Sequence, residues 1–150
     1  INYTVTETVF AAFYYDPRFK PSFTQKRHME AGFLGRKSGR GFYDYKGGSM
    51  LATPHEDQAL GQQIFERILV LLINEAADAV FMQIASPRAV DLAMTKGVNY
   101  PKGLLAWADE LGVSWVLERL ESLFAEYGED RYRPNPLLRR IAREQSKFIL

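Results

Sequence analysis

Apolar residues along the chain recur mostly at three- and four-residue steps, the spacing of one face of an α-helix. Thr4–Tyr15 carries Val5, Val9, Phe10, Phe13 and Tyr14 in that register and predicts a first helix. A basic patch, Gln25 to Ala31, predicts a short second one. The longest periodic stretch runs from about Glu56 to Ile84, with Leu60, Ile64, Ile68, Leu71, Leu72, Glu75, Ala76 and Phe81 on the expected face. Apolar residues nearly surround its middle, which predicts a central buried helix. Ser86-Pro87 opens another, a hydroxyl cap followed by proline at the first helical position, and Gly97 is expected to close it in a left-handed cap. Leu104–Leu111 ends at Gly112, Ser114–Tyr127 ends at Gly128, and Asn135-Pro136 opens a last helix over Leu137–Gln145. Lys46 to Pro54, rich in Gly, Ser, Thr and Pro, reads as a linker. The expected class is all-α.

Composition narrows the function classes. At 150 residues with 47% hydrophobic and 13% aromatic side chains, the chain can bury a sizeable core. A formal charge of +1 argues against a general nucleic-acid binder. The absence of cysteine removes disulfides, thiolate zinc sites and cysteine nucleophiles. No apolar run reaches transmembrane length, so a soluble protein without membrane contact is expected, and the lack of cysteine is compatible with the expected cytoplasmic location.

The densest signal is Gly35-Arg36-Lys37-Ser38-Gly39-Arg40-Gly41-Phe42-Tyr43-Asp44-Tyr45. Its glycines can enter φ > 0, with Gly39 or Gly41 expected there, and Phe42, Tyr43 and Tyr45 read as a short extended piece. Two nucleotide-binding patterns fail on the same letters. A P-loop needs lysine directly after its last glycine, but Arg36 separates Gly35 from Lys37. A Rossmann fingerprint needs a third glycine where Asp44 stands. A basic nucleic-acid arm is also disfavoured, because Arg36, Lys37 and Arg40 are an isolated cluster.

Two segments repeat one another. Asp16-Pro17-Arg18-Phe19-Lys20-Pro21-Ser22 matches Glu129-Asp130-Arg131-Tyr132-Arg133-Pro134-Asn135, each after an aromatic-bearing helix and before a basic one. At that offset the second copy's earlier helices would precede Ile1. The expectation is a duplicated unit whose first copy lacks its front half: 1–46 as the tail of one domain, 47–55 as linker and 56–150 as a second domain.

The glycine-rich run resembles the closing signature of the helical C-terminal domain of 3-hydroxyacyl-CoA dehydrogenases, approximately G-[RK]-K-[ST]-G-x-G-F-Y-x-Y. Asn74-Glu75-Ala76 is similar to that family's N-E-A on its first long helix. Gly97-Val98-Asn99-Tyr100-Pro101-Lys102-Gly103 is similar to its G-x-x-Y-P-x-G loop. Asp109 and Leu111-Gly112 resemble its D-x-x-G turn, and Arg133-Pro134-Asn135-Pro136-Leu137 its P-[ST]-P-x-L segment. Duplicated domains of this kind occur in bacterial 3-hydroxybutyryl-CoA and 3-hydroxyadipyl-CoA members. The resemblance implies a fold like the C-terminal domain of 6-phosphogluconate dehydrogenase. It also implies a full-length enzyme with an N-terminal Rossmann domain that binds NAD and a His-Glu base. Such an enzyme oxidises 3-hydroxyacyl-CoA in fatty-acid or aromatic-acid breakdown and acts as a homodimer.

None of that equipment is expected in this chain: no catalytic, cofactor-binding or metal-ligating residue is assigned, and NAD belongs to the full-length enzyme. His28 and His55 read as solvated surface. The family's asparagine before an arginine on the long helix is replaced by Glu66-Arg67, and a carboxylate cannot donate the amide hydrogen bond. Gly35, Lys37, Gly39, Gly41, Phe42 and Tyr43 form the structural signature, with Lys37 expected to hold the turn. Lys37, Asn99 and Tyr100 are candidate substrate or interface contacts. Asn74 and Glu75 are expected to hydrogen-bond between helices, Trp107 and Trp115 to pack, and Arg139, Arg140 and Arg143 to form a solvated face. The helix Thr4–Tyr15 is expected to pack on the second copy or on a symmetry-related subunit, giving a dimer in solution. The alternative is a non-catalytic helical interaction module.

Overall fold

The computed structural model describes residues 1–45, 47, 53 and 55–149. Most of the expected linker over 46–54 lies outside the described residues. The chain divides into two compact units, Ile1–Asp57 and Gln58–Leu150. Both are helical, and among the described residues there is no strand, only isolated bridges in the glycine-rich run.

The first unit holds α1 (Asn2–Ala12) and α2 (Phe23–Glu30). Helix α1 stops three residues short of the expected Tyr15 because Tyr14 and Tyr15 turn into the left-handed region, at φ 53° and 61°. Non-glycine residues enter that region at a cost. Here the Tyr15 amide donates to the Phe10 carbonyl (2.8 Å), and the two rings meet edge-on at 5.3 Å. Asp16 then caps a 3-10 turn, Pro17–Phe19, by accepting from the Arg18 amide (2.9 Å) and pairing with its guanidinium (3.2 Å). Phe19 packs on Phe13 with ring centres 4.3 Å apart.

The second unit holds α3 (Gln58–Phe81), α4 (Pro87–Leu92), α5 (Leu104–Leu111), α6 (Val113–Tyr127) and α7 (Pro136–Arg143). The core lies where α3 meets α5, α6 and α7, around Val70, Ile73, Leu105, Val116, Leu120 and Leu138. Helix α3 is not buried all round, as the sequence suggested. Its C-terminal half buries Leu69, Val70, Ile73, Asn74, Ala76 and Ala77, whereas Leu60, Ile64, Phe65 and Ile68 remain exposed. Of the expected stripe, Ala76 is buried and Leu71 and Leu72 pack against the core, whereas its N-terminal members Leu60, Ile64 and Ile68 face outward.

Helix α4 opens as expected, with Ser86 Oγ accepting from the Ala89 amide (3.3 Å) and Pro87 in the first turn. It continues into a single π-type turn, Ala93–Gly97. Gly97 is not the left-handed residue; Asn99 takes that conformation instead, at φ 60°. Asparagine tolerates the region better than other side chains. Gly112 (φ 91°) and Gly128 (φ 63°) end their helices as the sequence predicts.

Candidate functional site

The glycine-rich run of the first unit builds a compact double turn. After α2, Ser38 Oγ accepts from the Leu34 amide (2.8 Å) and lies within donor reach of the Arg40 carbonyl (2.8 Å) and the Gly35 carbonyl (3.1 Å). The Gly35 amide closes the turn on the Arg40 carbonyl at 2.8 Å. Gly39 lies at φ 72°, the left-handed geometry expected of one of the two glycines. Gly41 matters for another reason: a Cβ there would sit 2.8 Å from Gly35 Cα, so only glycine lets the two backbone segments approach. The expected extended piece does not form. The Gly41 amide donates to the Tyr43 carbonyl (2.9 Å) and the Tyr45 amide to the Gly39 carbonyl (2.9 Å), which folds the aromatics back over the turn.

That reversal brings the aromatic side chains against α2. Phe42 stacks on His28 with ring centres 4.4 Å apart and planes 14° from parallel. The Arg40 guanidinium covers Phe33 at 4.2 Å, and that of Arg36 lies 5.6 Å from the centre of Tyr45. The residues enclose a groove of about 690 Å³, whose lining includes Tyr3, Arg36, Lys37 and Tyr43. Lys37 is exposed, and the hydrogen bonds that fix the turn belong to its neighbour Ser38. The hydroxyl of the Lys-Ser pair holds the backbone, and Lys37 is among the residues that line the groove.

His28 is more constrained than a solvated histidine. Its Nδ1 lies 2.9 Å from the Thr24 carbonyl, which accepts and therefore requires Nδ1 to carry the proton. Its hydrogen-bond partner is a backbone carbonyl rather than the carboxylate that orients a histidine base. On α1 the Tyr3 hydroxyl donates to Glu7 (3.1 Å); burial, then the Glu7 carboxylate, raises the phenol's pKa above its usual value.

The second unit contains a different kind of polar cluster. The Asn74 amide donates to the Arg133 carbonyl (3.0 Å) and accepts from the Asn135 amide nitrogen (2.8 Å). Asn135 in turn donates to Asp78 (2.6 Å) and caps α7 by accepting from the Leu137 amide (2.7 Å). The interruption of the apolar helix at Asn74 is therefore structural, as its paired burial demands. Asp91 plays a similar part for α5, accepting from the Leu105 (2.8 Å) and Ala106 (2.9 Å) amides. A Cβ on Gly103 would run into that carboxylate, which accounts for the glycine of the G-x-x-Y-P-x-G pattern. Asp109 ties the C-terminal segment by accepting from Phe148 and Ile149 at 2.8 and 2.9 Å. Trp107 and Trp115 pack against the core, Trp107 tilted on Phe65.

Glu66 is held as an anion. Its pKa is lowered first by the hydrogen bond from Gln62 (3.0 Å) and further by Arg119 (2.7 Å), against a desolvation that raises it. Arg67 lies over the rings of Tyr127 (4.4 Å) and Tyr132 (5.0 Å) and donates to both hydroxyls. The sequence marks this cation between two phenols only through Tyr132, the aromatic of the repeated Arg-aromatic-cation-Pro order. Asn99 is exposed, and Tyr100 packs against the edge of the core. Arg139 pairs with Glu121 at 2.6 Å, so that helix face is solvated but not uniformly cationic. Among the described residues no cluster of metal-ligating side chains occurs, and no helix is long and apolar enough to cross a membrane.

An all-helical chain with this glycine-rich turn and this asparagine-tied helix pair belongs to the 3-hydroxyacyl-CoA dehydrogenase C-terminal domain family, whose model matches residues 1–45 and 64–147. Among individual relatives, the chain is 28% identical to a 3-hydroxyadipyl-CoA dehydrogenase of Escherichia coli K12, over 99% of this chain and 49% of that enzyme. It is 41% identical to a probable 3-hydroxybutyryl-CoA dehydrogenase of Deinococcus radiodurans over 52% of this chain and 28% of that protein. A solved 3-hydroxybutyryl-CoA dehydrogenase from Escherichia coli K12 superposes with a TM-score of 0.78 at 28% identity, covering 95% of this chain and 48% of that one. The chain thus spans about half the length, or less, of the relatives it matches. The match to the 3-hydroxyadipyl-CoA enzyme extends over 233 positions against 150 residues here, so that enzyme carries a long internal stretch this chain lacks.

Proposed function

We propose that this chain is the duplicated C-terminal region of an NAD-dependent 3-hydroxyacyl-CoA dehydrogenase that works in the cytoplasm. The first unit is the closing half of one helical domain, and the second is a nearly whole copy. In the full enzyme an N-terminal dinucleotide domain supplies NAD and the His-Glu base that takes the hydroxyl proton. This region contributes association of subunits and the shape of the acyl end of the pocket. The observation that carries the reading is the family match on both sides of the break between units, to 1–45 and again to 64–147.

The local chemistry is in accord with a supporting role. At the position where the family places an asparagine, Glu66 is committed to Gln62 and Arg119 and has no amide to donate. His28 is engaged with a backbone carbonyl and a phenyl ring, which leaves it poorly placed as an oriented base. The exposed apolar stretch of α3, with Leu60, Ile64, Phe65 and Ile68, suits a subunit contact. Calorimetric titration of the isolated chain with NAD, alongside a 3-hydroxybutyryl-CoA oxidation assay, tests the division of labour. Neither binding nor turnover is expected, and micromolar NAD affinity would reverse it. Light scattering at low concentration is expected to report a dimer.

A further inference from the structure

The two units share one backbone plan. The 3-10 turn Pro17–Phe19 and helix α2, Phe23–Glu30, recur at a single offset of 113 residues (17 to 130, 23 to 136) as the turn Asp130–Tyr132 and helix α7, Pro136–Arg143. The left-handed residue ahead of each turn matches too, Tyr15 at φ 61° and Gly128 at φ 63°. In the second unit this turn is a seat for the long helix α3. Arg67 lies over Tyr127 and Tyr132, and two helical turns further on Asn74 bonds the Arg133 carbonyl and the Asn135 amide.

The first unit keeps the rim of that seat, and its own helices do not fill it. Tyr14 and Phe19 stand at the positions of Tyr127 and Tyr132, and Tyr14 is 94% exposed. Lys20 and Ser22 stand at those of Arg133 and Asn135. Among the described residues, neither the Lys20 carbonyl nor the Ser22 amide has a hydrogen-bond partner, so the pair that receives Asn74 in the second unit is open here. The floor of the seat has changed: buried Val116, Leu120, Leu138 and Ile141 are matched by Tyr3, Glu7, Gln25 and His28. Polar groups accept water, so the seat can stand vacant, and recognition falls to the ties at its rim rather than to apolar burial.

We propose that the first unit is a docking seat for a helix that presents an arginine and, two turns later on the same face, an asparagine, in the spacing of Arg67 and Asn74. The guanidinium stacks on Tyr14 and Phe19, and the asparagine amide closes on the Lys20 carbonyl and the Ser22 amide. Phe19 has no hydroxyl to accept from the arginine, so the flat face of the guanidinium carries that contact. Given the dehydrogenase reading above, on which this choice of source rests, the helix belongs to the front half of the same copy in the longer enzyme. The polar floor favours this occupant over a purely apolar helix, which would strand Glu7 and Gln25 without partners.

NMR titration of the full 150-residue chain with a peptide of residues 58–81 tests the seat. Leu60→Lys, Ile64→Lys and Ile68→Lys keep the peptide soluble, at positions that are exposed in the second unit. The Ser22 amide and the Tyr14 ring should shift to saturation. Arg67→Ala or Asn74→Ala in the peptide should weaken binding at least tenfold, and Tyr14→Ala in the chain severalfold. Shifts confined to the second unit, no saturable shift at millimolar peptide, or binding indifferent to Arg67→Ala and Asn74→Ala would overturn the seat. Hydrogen exchange gives a reading that needs no peptide: the Ser22 amide should exchange at least tenfold more slowly in the longer enzyme than in this chain. Equal rates would overturn the front half as its occupant. Turnover of 3-hydroxybutyryl-CoA is a separate measurement, so the dehydrogenase reading stands or falls independently of both outcomes.

Discussion

The two units differ in how much of their apolar surface they hide. Of the described hydrophobic residues that are buried, the first unit supplies only Tyr3, and all the others lie in the second. The first unit exposes Val5, Phe13, Tyr14, Phe23, Leu34 and Phe42. Its order comes from side chains that hold backbone: Asp16 on the Arg18 amide, Ser38 on the Leu34 amide, Tyr15 folded onto Phe10. The second unit combines a layered core with buried polar ties at Asn74, Asp91 and Asn135. Hydrogen-bonded turns specify conformation, but net stability in water comes mainly from burial, since each such bond replaces one to solvent. One unit therefore has a surface to offer and the other a fold to offer it from.

Separating the units tests this contrast most severely. Residues 58–150 alone should melt cooperatively and keep their helical circular dichroism, whereas residues 1–57 alone should show weak helicity and no sigmoidal transition. A cooperative melt of 1–57 would erase the distinction.

Within the second unit, Asn74→Ala leaves the Arg133 carbonyl and the Asn135 amide without partners, at a cost of roughly 2–4 kcal/mol. Urea denaturation measures it. A loss below about 0.5 kcal/mol, the range of ordinary surface substitutions, would show that the tie between α3 and α7 is dispensable.

The glycine-rich turn should respond more mildly. Gly39→Ala forces alanine to φ 72°, worth about 1 kcal/mol, and Gly41→Ala pushes a methyl into the Gly35 backbone, worth about 1–3 kcal/mol. Faster hydrogen exchange at the Gly35 and Tyr45 amides, with the second unit's exchange unchanged, is the expected signature. Uniform acceleration in both units would mean that they unfold as one body.

The smallest effect is electrostatic. Glu66 has a folded pKa below its ordinary value, so its ion pair supports the fold above the usual glutamate range and is lost as pH falls through the folded pKa. Carboxyl titration followed by NMR should place its midpoint below those of exposed glutamates, and Gln62→Ala should raise it. A midpoint indifferent to Gln62→Ala would remove that hydrogen bond as the leading cause.

What could be read along the chain was local. Helices begin at Ser86-Pro87 and Asn135-Pro136 and end at Gly112 and Gly128 because capping and backbone geometry act within a few residues. The all-α class and the family signature were legible for the same reason, since glycines and aromatics at set spacing describe one turn. The face α3 buries was not legible. The stripe through Leu60, Ile64 and Ile68 and the one through Leu69, Ile73 and Ala77 have equal helical periodicity, and only the packing of α5, α6 and α7 selects between them. The partners of Asn74 lie 59 and 61 residues away, and Asp91 reaches 14 residues forward to cap α5. Likewise the reversal that lays Phe42 on His28 depends on a close approach of Gly41 to Gly35, which β-propensity does not register. Propensity and periodicity describe a segment against itself, whereas burial, pairing and the groove arise from segments meeting, and that meeting exists only in the folded chain.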